Sequence, residues 1–363
     1  MKIACVIHSL SGGGAERVMA SLASRLALRE HAVTLITLDD GSSDRHDLGS
    51  DVGRITLNVM GASESLWDKL SRFRARYTAL RNAIVDTRAD VVLSFCDRTN
   101  IETLIAAKRT GIPVVVSERS DPRWQTLGSF WEWMRRRTYR RAARVIALTE
   151  TTAEFLRPLN PRTVVIPSAI ECPPIRSDRV AAQLEKMIIG VGRLEPEKGF
   201  DRLIEAFAIA TTQHPDWRLK ILGDGSQRET LIGQAKSLNI AHRVEMPGWV
   251  RPIWEPLSRA TIFALASRYE GFPSALMEAM ASGVPSVSVD CPSGPREIIR
   301  DGDNGRLCGN DVSSLADAIS ELISQDEKRE HMGIQGTEIV QRYSWDKMVC
   351  SYETVLQDVV SNR

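Results

Sequence analysis

"SRYEGFPSALMEAMASGVPSVSVD", residues 267–290, packs a loop, a helix and a strand into one short run. Pro273 and Ser274 suit a helix start, and Gly283 suits its end. At about 100° per residue, Ala275, Leu276, Met277, Ala279, Met280 and Ala281 cover most of the circumference. Only Ser274, Glu278 and Ser282 share a polar line. The helix is therefore expected to be buried with one narrow wet stripe, where a carboxylate needs a partner. Glu270 stands before the Gly-Phe-Pro break and Glu278 beyond it, so the two face opposite sides of the helix start. The β-branched run 285–289 then reads as a strand.

The same alternation extends over the whole chain. Strands are expected near 2–7, 32–38, 91–95, 113–117, 144–149 and 163–167, then near 187–192, 218–223, 243–246, 261–266 and 285–289, with helical patterns between. A length of 363 residues exceeds one ordinary core. The Pro-rich stretch "IPSAIECPPIRSD", 166–178, reads as a linker. Two doubly wound, Rossmann-like α/β domains are expected, 1–168 and 169–343, facing each other across a cleft. Residues 344–363 are expected to form a helix that crosses back to the first domain. Ligands of such sheets sit beyond the carboxyl ends of the strands.

No apolar run approaches the roughly 18–20 residues of a membrane span, and the N-terminus lacks the apolar core of a signal peptide. The six cysteines (5, 96, 172, 291, 308, 350) show no CxxC spacing, which suits a reducing cytoplasm and no zinc site. Net charge is +1 but unevenly shared. Residues 1–167 hold 25 Lys+Arg against 18 Asp+Glu, so the first half is expected to meet something anionic.

Four loops carry the chemistry. "SLSGGGAERVMASLASRLA", 9–27, places Gly12, Gly13 and Gly14 between a strand and a helix, where backbone N–H groups can approach a phosphate or a reacting sugar. "GRLEPEKGFDRLIEAF", 192–207, sets Arg193 and Lys198 five apart, and both can converge on a diphosphate. "LGDGSQRETL", 222–231, brings Gly223, Asp224 and Gly225 to another strand end, and "PGWVRPIW", 247–254, offers surface for a flat base. "DGDNG", 301–305, lacks the terminal Glu of a calcium loop and reads as a turn, and no histidines share ligand spacing, so no metal is expected.

Two stretches of the first half are basic and aromatic. In 66–84, Leu66, Leu70, Phe73, Tyr77, Leu80 and Ile84 form one apolar face, with Lys69, Arg72, Arg74, Arg76 and Arg81 around it. In 131–147, Trp131 and Trp133 accompany Arg135, Arg136, Arg137, Arg140, Arg141 and Arg144. Such faces suit an anionic membrane surface, with a core-packed helix bearing solvated arginines as the alternative. Nucleic acid fits the charge but not the loops.

Together, "GRLEPEKGFDRLIEAF", "LGDGSQRETL", the E-x7-E stretch at 267–290 and "GPREIIRDGDNGRL", 294–307, resemble the retaining GT-B glycosyltransferases of family four. The likeness runs from the Gly-rich N-terminal loop to "YSWDKMVCSYETVL", 343–356, and the first half looks closest to bacterial enzymes that extend lipid-linked oligosaccharides. The resemblance implies a GT-B fold and transfer of a hexose or N-acetylhexosamine, with retention, from a nucleotide-diphosphate sugar, expected to be UDP-linked. The acceptor it implies is a polyprenyl-diphosphate-linked glycan at the cytoplasmic face of the membrane. By position, Glu270, Arg193, Lys198 and Arg119 would be catalytic. Gly13, Gly14, Gly225, Trp249, Val250, Phe272, Pro273, Ser274, Ala275, Leu276 and Glu278 would bind the donor, with Glu270 on the sugar and Glu278 on the ribose. Glu16, Glu118, Lys69, Arg72, Arg74 and Arg76 would serve the acceptor. No cofactor is expected. Two positions depart from the pattern: "VVVSERSDPRW", 114–124, offers Arg119 where a histidine is frequent, and Ser168 stands where asparagine is. An arginine cannot act as a base near neutral pH. A nucleotide-sugar epimerase of the same fold, or a non-catalytic sugar-nucleotide-binding subunit recruited to the membrane, are the alternatives.

Overall fold

The computed structural model describes the backbone of residues 1–60, 66–174 and 184–362, and the side chains of these except 66–73. The chain divides into two compact units, Met1–Ala169 with Trp345–Arg363, and Ile170–Ser344. The strands of the first are β1 (Lys2–Ile7), β2 (Ala32–Thr37), β3 (Gly53–Thr56), β4 (Val91–Phe95), β5 (Val114–Ser117), β6 (Arg144–Ala147) and β7 (Thr163–Val165). They form one parallel sheet in the order β3-β2-β1-β4-β5-β6-β7. The second unit holds β8 (Glu185–Val191), β9 (Arg218–Leu222), β10 (Val244–Gly248), β11 (Ala260–Leu265), β12 (Ser286–Val289) and β13 (Arg306–Cys308). Its sheet is also parallel, in the order β10-β9-β8-β11-β12-β13. Both are doubly wound Rossmann-like sheets whose strand order reverses beside the first strand.

The helices that position the first unit's loops are α1 (Gly14–Leu28), α2 (Leu66–Asp86), α3 (Asp97–Ala106) and α4 (Ser129–Thr138). Strand β1 is buried on both faces, and its alternation assigns each side chain to one core. Ile3, Cys5 and Ile7 pack with Val18, Met19 and Leu22 of α1 and with Tyr352 and Leu356 of the helix Trp345–Ser361. Ala4 and Val6 pack on the other face with Leu80 and Ile84 of α2 and Ile101 of α3. The C-terminal helix is tied to the first unit by Tyr352, whose hydroxyl lies 3.0 Å from Ser117 Oγ, and by an Arg144–Asp358 ion pair.

Two strands, β3 and β13, lie outside the sequence expectation. Each is a sheet edge of four residues or fewer and is partly open to water, so neither shows the continuous apolar run of an inner strand. The expected linker starts inside packed structure. Ile166, Ala169 and Ile170 are buried, and the Ile170 amide donates to the Tyr343 carbonyl at 2.9 Å. Its later residues, from 175, lie outside the described residues.

Candidate active site

In the second unit the strand order reverses between β8 and β11, the place where ligands of such sheets sit beyond the carboxyl ends. The loop after β8 carries Lys198 and the loop after β11 carries Glu270. Lys198 Nζ donates to Glu270 Oε1 at 2.7 Å, and Ser267 Oγ donates to the same oxygen at 2.7 Å. Glu270 is buried, so this cation offsets a charge that would be costly alone. The contact depends on Gly199, whose φ is +64° and where any Cβ would lie 2.1 Å from the Ala266 carbonyl oxygen. Only glycine lets the two loops touch there.

The helix Ser274–Ala281 begins at Pro273, directly after this pair. Leu276, Met277, Ala279, Met280 and Ala281 are buried, as its pattern requires. Ser274 and Ala275 remain half-buried, at the helix start where backbone N–H groups lack helical partners. Farther along, Glu278 is buried and lies 3.5 Å from Arg251 Nη1, in the loop after β10. Exposed Trp249 and half-buried Val250 precede that arginine. Carboxylates suited to hydroxyl groups thus flank a helix start suited to an anion.

Three expected residues of this unit are placed differently. Arg193 is 71% exposed along its side chain and pairs with Glu197 at 2.8 Å, apart from the Lys198–Glu270 pair. Its own i,i+4 carboxylate outcompetes the more distant site. The Phe272 ring is buried edge-on against Tyr343, 5.2 Å between centroids, so it forms a floor and not a contact face. Gly225 lies against the Leu194 carbonyl and shapes the loop after β8.

In the first unit, Gly13 caps α1, and Glu16 folds back over it: a Cβ on Gly13 would lie 2.1 Å from Glu16 Oε2. Burial alone would raise the Glu16 carboxyl, but the hydrogen bond with His8 and one from its own amide outweigh it and hold it below the ordinary range. The Glu16 carboxylate thus lies over Gly13 at the start of α1. Arg119, beyond β5, donates from Nη2 to Ser168 Oγ at 2.5 Å and stacks over Phe95 at 4.8 Å. The two positions that depart from the family pattern are therefore partners.

Glu118 is fully buried and cannot face an acceptor. It accepts a hydrogen bond from the Tyr139 hydroxyl at 2.5 Å and lies 3.4 Å from Arg135 Nε. Burial lifts its carboxyl to about 7, against the pull of Arg135. Arg135 itself is 1% exposed, held among Glu118, Asp97 and Glu132, so it leaves the expected basic face. Arg144 leaves it likewise, for Asp358. Arg76 pairs with Glu102 at 2.8 Å and the Val59 carbonyl, and Arg81 bonds the carbonyls of Ala106 and Lys108, so both brace α2. Arg74 is exposed, while the side chains of Lys69 and Arg72 lie outside the described residues. Reading the sequence missed Ser267, three residues before Glu270 in the same loop, and the His8–Glu16 pair, which the strand-end position of His8 could have flagged.

Residues 13–169 match the family model for a glycosyl transferase 4-like domain, and residues 174–339 that for glycosyl transferases group 1. Over 330 residues, 90% of each chain, the sequence is 28% identical to a Campylobacter jejuni enzyme. That enzyme is GalNAc-alpha-(1->4)-GalNAc-alpha-(1->3)-diNAcBac-PP-undecaprenol alpha-1,4-N-acetyl-D-galactosaminyltransferase. The present chain is also 38% identical over 226 residues to an exopolysaccharide phosphotransferase of Streptomyces coelicolor, a match spanning 60% of this chain and 24% of that one. Among solved structures, Anabaena HepE in complex with UDP and glucose has the same fold, with a TM-score of 0.81, 20% identity, and 98% and 99% of the two chains covered.

Glu118 makes stability depend on pH. The folded chain holds its carboxyl at about 7 against an ordinary 4.5, so between these values the folded state binds the extra proton. The associated stability is fully present below the lower value and is lost as pH rises through the upper one. Glu118→Gln should flatten this fall. In urea melts from about pH 5 to pH 8, the wild-type midpoint should drop relative to the variant. Equal slopes in the two proteins would overturn the assignment.

Proposed function

We propose that this chain, which belongs to the group 1 glycosyltransferases and has their GT-B fold, moves a hexose or N-acetylhexosamine from a UDP-sugar to a growing polyprenyl-diphosphate-linked glycan, with retention. The observation that carries this reading is the Lys198–Glu270 contact at the β8/β11 reversal, directly before a helix that carries Glu278, itself 3.5 Å from Arg251 in the loop after β10. A nucleotide-sugar laid over that helix start meets sugar-binding carboxylate, phosphate-binding N–H groups and cation, and ribose-binding carboxylate in order. From Ser274 to Glu278 the helix axis rises about 6 Å. The UDP and glucose held by Anabaena HepE support the donor class, and the Campylobacter relative's name supports a lipid-diphosphate acceptor.

Glu270 accepts hydrogen bonds from the donor sugar's hydroxyls, and Lys198 neutralises the diphosphate as the glycosidic bond breaks. The acceptor oxygen attacks the anomeric carbon on the face the diphosphate leaves, and its proton passes to the departing phosphate oxygen. Charge grows on that phosphate during the step, so a fixed cation contributes most in the transition state. Lys198 and the helix N–H groups take the place of a divalent ion, and no metal is required.

Membrane recruitment belongs to α4. Phe130 and Trp133 are 60% and 51% exposed, Arg137 stacks on Trp133, and Arg136, Arg140 and Arg141 are exposed beside them. Aromatic rings with adjacent cations suit an anionic bilayer surface. Among the described residues, no helix is long and apolar enough to cross a membrane.

Three measurements bear on this reading. Glu278→Ala should weaken binding of UDP itself by about 1–3 kcal/mol in calorimetry, while Glu270→Ala should mainly impair use of the sugar. Equal losses for plain UDP would contradict the two roles. Lys198→Ala should lower kcat more than it raises KM, and wild-type turnover should survive a chelator; strict dependence on magnesium or manganese would count against it. Changing Arg136, Arg137 and Arg140 to Gln should reduce sedimentation with phosphatidylserine liposomes, each residue being worth on the order of 1 kcal/mol at low salt. Wild-type protein that ignores such liposomes would remove the membrane from the proposal.

A further inference from the structure

The two oxygens of the Glu270 carboxylate have different surroundings. Oε1 takes the hydrogen bond from Lys198 Nζ and the one from Ser267 Oγ, each at 2.7 Å. Oε2 has no hydrogen-bond partner among the described residues and is not closed to water, the Glu270 side chain keeping 8% of its surface exposed. A carboxylate oxygen accepts about two hydrogen bonds, so Oε1 is filled and Oε2 is left for a ligand.

The two donors on Oε1 differ in how firmly they are held. Ser267 is fully buried, two residues beyond the end of β11 at Leu265. Its loop is fastened to the loop after β8: the Arg268 amide donates to the Glu197 carbonyl at 2.8 Å, and the Arg268 guanidinium donates to Asp201 at 2.6 Å. The loop after β12 closes the other side. A Cβ on Gly294, where φ is +86°, would stand 2.8 Å from Pro273 Cδ and 3.4 Å from Glu270 Cβ, and Ser293 Oγ donates to the Gly271 carbonyl at 3.4 Å. The stem of Glu270 is therefore held, while the terminal torsion of a glutamate is soft and needs a contact to set it. Lys198 is a long side chain whose charge a diphosphate draws toward itself. Once it shifts, Ser267 alone decides which oxygen faces the ligand.

We propose that Ser267 is a positioning residue of the donor site: its hydroxyl pins Oε1 so that Oε2 meets the hydroxyls of the donor sugar, and it keeps that orientation when Lys198 turns to the diphosphate. The proposal rests on the reading of Glu270 as the carboxylate that takes the sugar. Ser267, being buried, touches neither sugar nor nucleotide. Its removal changes the sugar's share of binding and leaves the nucleotide's share alone.

The test is calorimetry on the full chain with UDP and with UDP-glucose, UDP-galactose, UDP-N-acetylglucosamine and UDP-N-acetylgalactosamine. The quantity read is the ratio of the UDP-sugar Kd to the UDP Kd, taken with the sugar that the wild type binds most tightly. Ser267→Ala should raise this ratio about tenfold, as for one charge-assisted hydrogen bond, with UDP itself bound within about twofold of the wild type. Glu270→Ala should raise it at least as far. Adding Ser267→Ala to Glu270→Ala should change nothing further, since the hydroxyl then has no carboxylate to orient. An unchanged ratio in Ser267→Ala, a parallel loss of UDP affinity, or additive losses in the double variant would each overturn the role, the last two marking Ser267 as support for the loop as a whole. The donor reading is judged on other samples. Wild-type protein that binds neither UDP nor any of the UDP-sugars, or an unchanged ratio in Glu270→Ala, sinks that reading and Ser267 with it. A response in Glu270→Ala without one in Ser267→Ala sinks Ser267 alone.

Discussion

A parallel strand covered by helices on both faces can meet a ligand only at its ends. Both sheets of this protein obey that constraint, and the placement of the polar side chains follows from it. Ile3 to Ile7 are spent on two cores, and chemistry begins at His8. The same holds for Leu38 before Asp39 and for Ser117 before Glu118 and Arg119. In the second unit, Lys198, Glu270 and Arg251 all stand in loops that leave the carboxyl ends of β8, β11 and β10.

Each carboxylate brought to these ends is largely withdrawn from water and needs a specific partner. Glu270 has Lys198 and Ser267, Glu278 has Arg251, Glu16 has His8, and Glu118 has Tyr139 and Arg135. A charged hydrogen bond of this kind contributes roughly 1.5–3 kcal/mol. Losing the partner costs more, because the remaining charge stays buried. The partnerships therefore hold the loops in place before any ligand arrives. Among the described residues Asp39 is the exception, with neither buried carboxylate oxygen partnered.

Helix α4 shows how one element can divide its faces between two tasks. Arg135 points inward to Glu118, Asp97 and Glu132, while Phe130, Trp133 and Arg137 face water. A run of three consecutive arginines turns through about 200° of helix, so its members cannot share one environment. Arg119 and Ser168 are a comparable case in which two unusual residues make sense only together, because each supplies the other's hydrogen bond.

Much of this was legible in the sequence. Alternating β-branched runs and helical patterns identified eleven of the strands, and the E-x7-E stretch located the helix with Glu270 before it and Glu278 within it. These features depend on neighbours a few residues apart, so local spacing determines them. The edge strands β3 and β13 escaped because partial exposure removes the apolar run that marks an inner strand. The partners of the long cationic side chains were not legible at all. Arg193 turned to Glu197, Arg76 to Glu102 and Arg135 to a buried cluster, whereas Lys198 reached Glu270, 72 residues away. An arginine or lysine is long enough to choose among several carboxylates. Which of them are near is decided only when strands distant in sequence lie side by side and leave their loops at a common edge.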